Sequence, residues 1–276
     1  MTRPDWLAFC QAVTADVKAV LAGLPSRDDR EPVVGHGEGG DDTTVIDRDA
    51  ERAAVARLEE LAHRGVSFRL VSEELGERRF GDPDSPWVVV IDPIDGSLNA
   101  KRCLPFYCIS IAIADGPSIG DVRFGYVHDF GSGEEWVAER GEGATVNGRR
   151  LGGVRPKERL GIVDLEATTA ALIAEAAARL DGQVGRIRVL GALALALCEL
   201  ADGRLDGVAS LKPSRSVDIA AAALIVREAG GAVYLPDDPG LALDLVSRSR
   251  VTVARDDAMA RQLAGLVYRL QSDPEL

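Results

Sequence analysis

Trp87-Val88-Val89-Val90-Ile91-Asp92-Pro93-Ile94-Asp95-Gly96-Ser97 is the stretch on which the reading of this chain turns. The apolar run from Trp87 to Ile91 is too short for a helix and stands between Pro86 and Pro93. It therefore reads as a buried strand. That strand leads straight into two carboxylates, Asp92 and Asp95. Acids at the end of a buried strand are held by rigid scaffold. Hard cations such as Mg²⁺ take oxygen ligands, and Asp92, Asp95 and the Ile94 carbonyl offer them from one loop. Gly96 permits close backbone approach. Ser97 opens a turn or short helix whose free N–H groups suit a phosphate. Taken alone, the segment also fits a polar strand-exit turn, because Asp-Gly is common in turns.

Working outward, Phe68 to Val71 reads as a second short strand, and it runs into the acidic stretch Ser72 to Glu77 with Glu73 and Glu74. Asp47 and Glu51, four apart in a helix expected over 47–63, share one face. Asp218 opens an Ala-rich helix expected over 217–229, where the helix dipole already favours an acid. Each of these acids, taken singly, also reads as a solvated or capping group. Residues 2–24 read as a helix and 25–42 as a polar, Gly-rich connection. Further strands are expected at 109–114, 123–128 and 135–139, and Asn147-Gly148 is a turn signal. Beyond that the pattern alternates. Helices are expected over 169–180, 192–201 and 256–270, with strands at 186–190, 205–211, 233–235 and 251–254. The first half, 1–152, thus reads as α+β with antiparallel strands, and the second, 153–276, as α/β. Gly152-Gly153 and Pro156 mark the boundary near 150–157.

The chain has 276 residues, 46% hydrophobic and 28% charged, the balance of a soluble globular protein that needs no disulfide staples. No apolar run approaches the roughly 20 residues of a membrane span. The first 24 residues lack a basic start and a continuous apolar stretch, so a cytoplasmic protein without membrane attachment is expected. A net charge of −12 argues against a nucleic-acid partner. It leaves a phosphate substrate open, because bound divalent cations dominate the local field. The cysteines at 10, 103, 108 and 198 form no Cys-x-x-Cys pair and read as reduced, small apolar residues. Gly35 to Gly40 matches the Gly-x-Gly-x-x-Gly spacing literally. No βα unit surrounds it, so a dinucleotide site is rejected. The histidines at 36, 63 and 128 are scattered, which disfavours a histidine triad. Walker A, Gly-x-Ser-x-Gly, His-Glu-x-x-His and EF-hand patterns are absent from the sequence.

Four of these elements, in this order, resemble the inositol monophosphatase family. Asp92-Pro93-Ile94-Asp95-Gly96-Ser97-Leu98-Asn99 is similar to its Asp-Pro-(Ile/Leu)-Asp-Gly-(Thr/Ser)-x-Asn signature. Ser72-Glu73-Glu74 looks like its Gly-Glu-Glu element, and Thr44-Val45-Ile46-Asp47 with Glu51 like its Thr-x-x-Asp-x-x-x-Glu element. Ser216-Val217-Asp218-Ile219-Ala220-Ala221, followed by Glu228-Ala229-Gly230-Gly231, looks like its C-terminal element. Val34 to Gly37 and Leu104 to Tyr107 look most like the archaeal-type members, which act on both inositol monophosphates and fructose 1,6-bisphosphate.

The resemblance implies an αβαβα layered sandwich of the sugar-phosphatase type and a homodimer. It implies two to three Mg²⁺ per site, held by Glu73, Asp92, the Ile94 carbonyl, Asp95 and Asp218. Asp47 and Ser97 would orient the attacking water, and Gly96 and Ser97 would hold the phosphate. The expected reaction is hydrolysis of a small polyol or sugar phosphomonoester by direct attack of a metal-bound water. The sequence departs from the family at Val217, where Trp is usual, and at Ala222, where Gly is. It departs again at Gly191-Ala192-Leu193-Ala194, near the substrate's ring, so Leu193 is a substrate-pocket residue that bears on specificity. Lys101, Arg102, Lys212 and Arg215 are basic candidates for a second phosphate. A 3′-phosphoadenosine 5′-phosphate or NADP phosphatase is the rival enzyme reading. A non-catalytic regulatory or binding protein on the same fold is the rival of another class.

Overall fold

In the computed structural model, which describes residues 4–37, 42–152, 159–166 and 169–268, the chain begins with α1 (Trp6–Gly23), α2 (Arg27–Arg30), β1 (Val33–His36), β2 (Asp42–Thr44) and α3 (Val45–His63). It continues through β3 (Phe68–Ser72), β4 (Gly76–Phe80), β5 (Val88–Asp95), α4 (Ser97–Lys101), β6 (Cys108–Ala114), β7 (Val122–Asp129), β8 (Glu135–Glu139), β9 (Gly143–Val146) and β10 (Arg149–Arg150). Then come β11 (Ile162–Glu166), α5 (Ala170–Leu180), β12 (Arg186–Arg188), α6 (Leu193–Ala201), β13 (Gly207–Ser210), α7 (Ser216–Glu228), β14 (Ala232–Tyr234), β15 (Thr252–Ala254) and α8 (Asp257–Val267).

The Val88–Ile91 run lies inside an eight-stranded sheet of order β10-β9-β8-β7-β6-β5-β3-β4. Every residue of β5 is buried because helices cover both faces of the sheet, which is why the run is continuously apolar rather than alternating. Side chains along a strand point alternately to the two faces. Val89 and Ile91, with Phe68, Leu70, Ile109 and Ile111, pack under α1 and α3. Val88 and Val90, with Val71 and Ala112, turn the other way, onto α6 and α7. A second sheet of order β12-β11-β13-β15-β14 covers the far side of those two helices. Its Val208 and Val253 join the same buried cluster as Val88 and Val90. Its outer face, through Val163, Leu165 and Ala209, packs on Leu263 and Ala264 of α8 and on Ala176 and Leu180 of α5. The order of layers is helix, sheet, helix, sheet, helix.

The central layer is thin because α7 is made of small residues. Its run from Ala220 to Ala223 is buried, and so are Val217 and Ile219. At Gly125 of β7 the strand and helix backbones touch, since a Cβ there would stand 2.6 Å from the Ala221 carbonyl oxygen. α1 is apolar enough on average to match a membrane span in length and composition. Its Trp6, Cys10, Val13, Val17 and Leu21, at helical spacing, are buried in the cluster with α3. It serves here as a core helix.

The structure adds elements to the sequence reading in four places. The 25–42 connection holds α2, whose start is fixed by a capping box between Ser26 and Asp29, and β1, which pairs with β2. The acidic stretch after Ser72 turns back as β4, an edge strand whose exposed Glu77, Arg78 and Arg79 discourage further pairing. A short ribbon, β9 and β10, closes the far edge of the larger sheet around the Asn147-Gly148 turn. β11 lies outside the expected strands, and two of its five residues, Asp164 and Glu166, are acids. The second sheet is mixed, since β15 pairs antiparallel with β13 and β14. Residues 153–157 of the expected boundary and 269–270 of the last expected helix lie outside the described residues.

Candidate active site

The parallel pairing of β3 and β5 does the first part of the assembly. Ser72 stands opposite Ile91 in their register, so the next residues, Glu73 and Asp92, stand side by side. α7 then brings Asp218, in its first turn, to the same place. One oxygen from each of Glu73, Asp92 and Asp218 lies within 4.8 Å of the others. Asp95 joins them because the β5–β6 ladder is irregular between Asp92 and Asp95. Its Oδ2 accepts the Ala194 N–H at 2.7 Å, at the start of α6, and the Cys108 thiol at 3.6 Å.

These acids sit in an electrostatic deficit. Burial, then the charge of Asp218, raises the Glu73 pKa to about 7. Burial, then Asp218 and Glu166, raises Asp95 to about 8. Burial, then Glu73, Asp95 and Asp218, pushes Asp92 well above the usual carboxylate range. Their counter-charge is Arg215, whose guanidinium pairs with Glu73 and lies 3.4 Å from Asp218. Several hard oxygens converging in a buried, under-neutralised cluster suit a divalent cation.

Gly96 is the hinge of the loop. It adopts φ +86°, and a Cβ there would meet the Ala192 Cβ at 2.8 Å and the Gly191 and Phe106 carbonyl oxygens at 3.1 Å. Only glycine fits both the left-handed backbone and the space. Ser97 follows as the first residue of α4, its hydroxyl donating to the Ile94 carbonyl at 2.9 Å. Asp47 caps the first turn of α3: its Oδ2 accepts from the Thr44 N–H at 3.0 Å and the Thr44 hydroxyl at 2.7 Å. Lys101 also reaches that oxygen, at 2.8 Å. The other oxygen, Oδ1, is buried with no hydrogen-bond partner among the described residues.

Glu73, Asp92, Ile94, Asp95, Gly96, Ser97, Leu193, Arg215 and Asp218 line one cavity of ≈ 370 Å³. Asp47 lines a small adjoining one with Glu51, Glu73, Asp92 and Ser97. The two cavities therefore bring together the expected metal and catalytic residues with Gly96, Leu193 and Arg215. Glu51 accepts the Ser72 hydroxyl, and burial raises its pKa to about 7. The basic candidates divide. Arg215 and Lys212 line the larger cavity, Lys101 is spent on Asp47, and Arg102 pairs with Glu31 at 2.5 Å. Glu166 and Ser210, at the ends of β11 and β13, also line the cavity, and the sequence reading missed both. An alternating Val163-Asp164-Leu165-Glu166 was the available signal for β11.

Two mixed sheets around a shared helical layer, with a carboxylate nest where that layer meets β3 and β5, define the αβαβα sandwich of the sugar-phosphatase type. The model of the inositol monophosphatase family matches residues 7–272, and the chain belongs to that family. The fructose-1,6-bisphosphatase/inositol-1-monophosphatase of Methanothermobacter thermautotrophicus is 32% identical, over 83% of this chain and 83% of that protein. A crystal structure of an inositol monophosphatase–fructose 1,6-bisphosphatase superposes with a TM-score of 0.81 at 29% identity, covering 95% of this chain and 100% of that one. The bifunctional NADP phosphatase/NAD kinase of Methanococcus maripaludis is 28% identical, over 95% of this chain but 49% of its own length.

Proposed function

We propose that the chain is a Mg²⁺-dependent phosphomonoesterase for small polyol or sugar phosphates. The observation that carries the reading is the convergence of Glu73, Asp92 and Asp218 within 4.8 Å, beside Asp95, in a cavity that also holds Gly96, Ser97 and Arg215. Glu73, Asp92, Asp95, Asp218 and the Ile94 carbonyl would hold the ions, two to three in number. Such ions supply Lewis acidity toward phosphoryl oxygens and a nucleophile at neutral pH.

The chain's own groups do the rest. The unpartnered Oδ1 of Asp47 is the acceptor for a proton from the attacking water. The Ser97 hydroxyl, oriented by its bond to the Ile94 carbonyl, accepts a hydrogen bond from the same water and holds it in line. The backbone at Gly96 and Ser97 cradles the phosphate. Leu193, in the same cavity, packs against the carbon skeleton of the alcohol. Arg215 holds Glu73 and Asp218 in place. The same reading has the chain working as a homodimer, which light scattering on the purified protein checks.

The test is Asp95→Asn, assayed by phosphate release from inositol 1-phosphate and fructose 1,6-bisphosphate with Mg²⁺ and with EDTA. Turnover falls by at least about a hundredfold. Near-wild-type, Mg²⁺-dependent turnover in the variant would remove the site assignment. The NADP phosphatase named among the relatives keeps a second reading in view, and NADP and 3′-phosphoadenosine 5′-phosphate in the same panel separate it. No metal-dependent release from any of the four would favour a non-catalytic binding protein.

A further inference from the structure

Glu166 is the last residue of β11 and stands opposite Ser210, the last of β13, in a parallel register. Open α/β sheets bind ligands outside the carboxyl ends of such strands. The Glu166 side chain lines the same ≈ 370 Å³ cavity as the metal-type carboxylates. Yet it is not one of the three that converge, which are Glu73, Asp92 and Asp218. Its charge is felt at Asp95, whose pKa it helps to raise. Glu166 thus stands near the carboxylate nest without belonging to it.

Its geometry is fixed from behind. Oε1 accepts the Gly191 N–H at 2.8 Å. Asp164, fully buried on the same strand, accepts the Leu190 N–H at 3.1 Å. Burial, then the charge of Glu166, raises the Asp164 pKa to about 9. Glu166 is therefore anchored at the Gly191 loop. Leu193, at the start of α6, lines the same cavity. An anchored carboxylate beside an apolar side chain accepts hydrogen bonds from hydroxyls and repels anions.

We propose that Glu166 determines specificity by accepting hydrogen bonds from hydroxyls on the alcohol part of the substrate, selecting a neutral polyol and disfavouring a second phosphate there. This rests on the phosphomonoesterase reading above. The bases in the cavity do not cancel it. Arg215 is held by Glu73 and Asp218. Lys212 follows Leu211, whose N–H donates to the Glu166 carbonyl at 2.8 Å, so Lys212 and Glu166 belong to the same rim of the cavity.

The experiment compares wild type with Glu166→Gln and Glu166→Ala in the full-length chain with Mg²⁺. The substrates are inositol 1-phosphate, fructose 1,6-bisphosphate and p-nitrophenyl phosphate, whose alcohol part has no further hydroxyl. Both variants lose kcat/KM for inositol 1-phosphate about ten- to a hundredfold more than for p-nitrophenyl phosphate, the range for a hydrogen bond to a charged group. The loss falls mainly on KM, and the ratio of fructose 1,6-bisphosphate to inositol 1-phosphate turnover rises. Saturation-transfer NMR with inositol 1-phosphate in EDTA shows weaker ring-proton contacts in both variants. Wild-type turnover combined with substrate ratios that move less than threefold in folded Glu166→Gln would overturn the proposal alone. Wild type with no release from any of the three substrates removes the phosphatase reading and this proposal with it.

Discussion

Gly96 and Gly65 form a matched pair for measuring how tightly the loop at Gly96 is packed. Their φ angles are nearly equal, +86° and +88°. A Cβ at Gly65 meets nothing within 4 Å, whereas one at Gly96 meets the Ala192 Cβ at 2.8 Å and two carbonyl oxygens at 3.1 Å. None of those three atoms is the end of a flexible side chain. Replacing either glycine by alanine incurs the left-handed backbone penalty of about 1–2 kcal/mol. Gly96→Ala adds overpacking of about 1–3 kcal/mol. In a chain of this size each kcal/mol moves Tm by about 2–4 °C, so Gly96→Ala melts roughly 2–12 °C below Gly65→Ala. The assay is calorimetric melting in EDTA at neutral pH. Activity carries a second signature. The displaced Ala192 is two residues before Ala194, whose N–H holds Asp95. Phosphate release per folded molecule therefore drops in Gly96→Ala and not in Gly65→Ala. Equal melting temperatures for the two variants would show that the loop yields, and the packing account of Gly96 would fail.

Arg215→Met leaves Glu73 and Asp218 without their shared counter-ion. In EDTA the variant melts lower than wild type, by about 3–5 kcal/mol of lost stability, and Mg²⁺ raises its Tm more than it raises that of wild type; the same Mg²⁺ increment in both would contradict the cluster's electrostatics. His128 is buried with neither ring nitrogen partnered among the described residues, and burial lowers its pKa to about 4. Its folded pKa lies below the ordinary 6.5, so its contribution is full above that pH and is lost as pH falls from 6.5 through 4. His128→Leu therefore flattens the Tm-against-pH curve across that window, and a curve parallel to wild type counts against the assignment. Stripping metal with EDTA abolishes phosphate release while far-UV circular dichroism stays unchanged, because the apolar clusters that hold the layers contain none of the four carboxylates.

How much was legible in the sequence follows from what each segment does physically. β5 was plain because burial on both faces leaves an uninterrupted apolar run. α7 was plain because a fully buried helix needs small residues and stops at Gly230-Gly231. The nest could be listed residue by residue, but its assembly could not. The adjacency of Glu73 and Asp92 depends on a parallel register, and that of Asp218 on a helix more than a hundred residues away. β11 escaped notice because two of its five residues are acids, and strand patterning has no way to mark Asp164 as a buried one. Lys101 and Arg102 looked alike as neighbouring bases. Only the packing of α4 shows that one faces Asp47 and the other Glu31.

The contact between Gly125 and the Ala221 carbonyl has a consequence for how the nest keeps its dimensions. With no side chain between β7 and α7 there, the helix rests on the sheet like a bar on a stop. Its height is set by two backbones and cannot drift as core residues are exchanged. Asp218 lies one turn away on that bar, and Asp92 and Asp95 are carried by the sheet beneath. The gauge of the carboxylate nest is thus kept at a glycine two strands from β5, a position with no charge and no chemistry of its own.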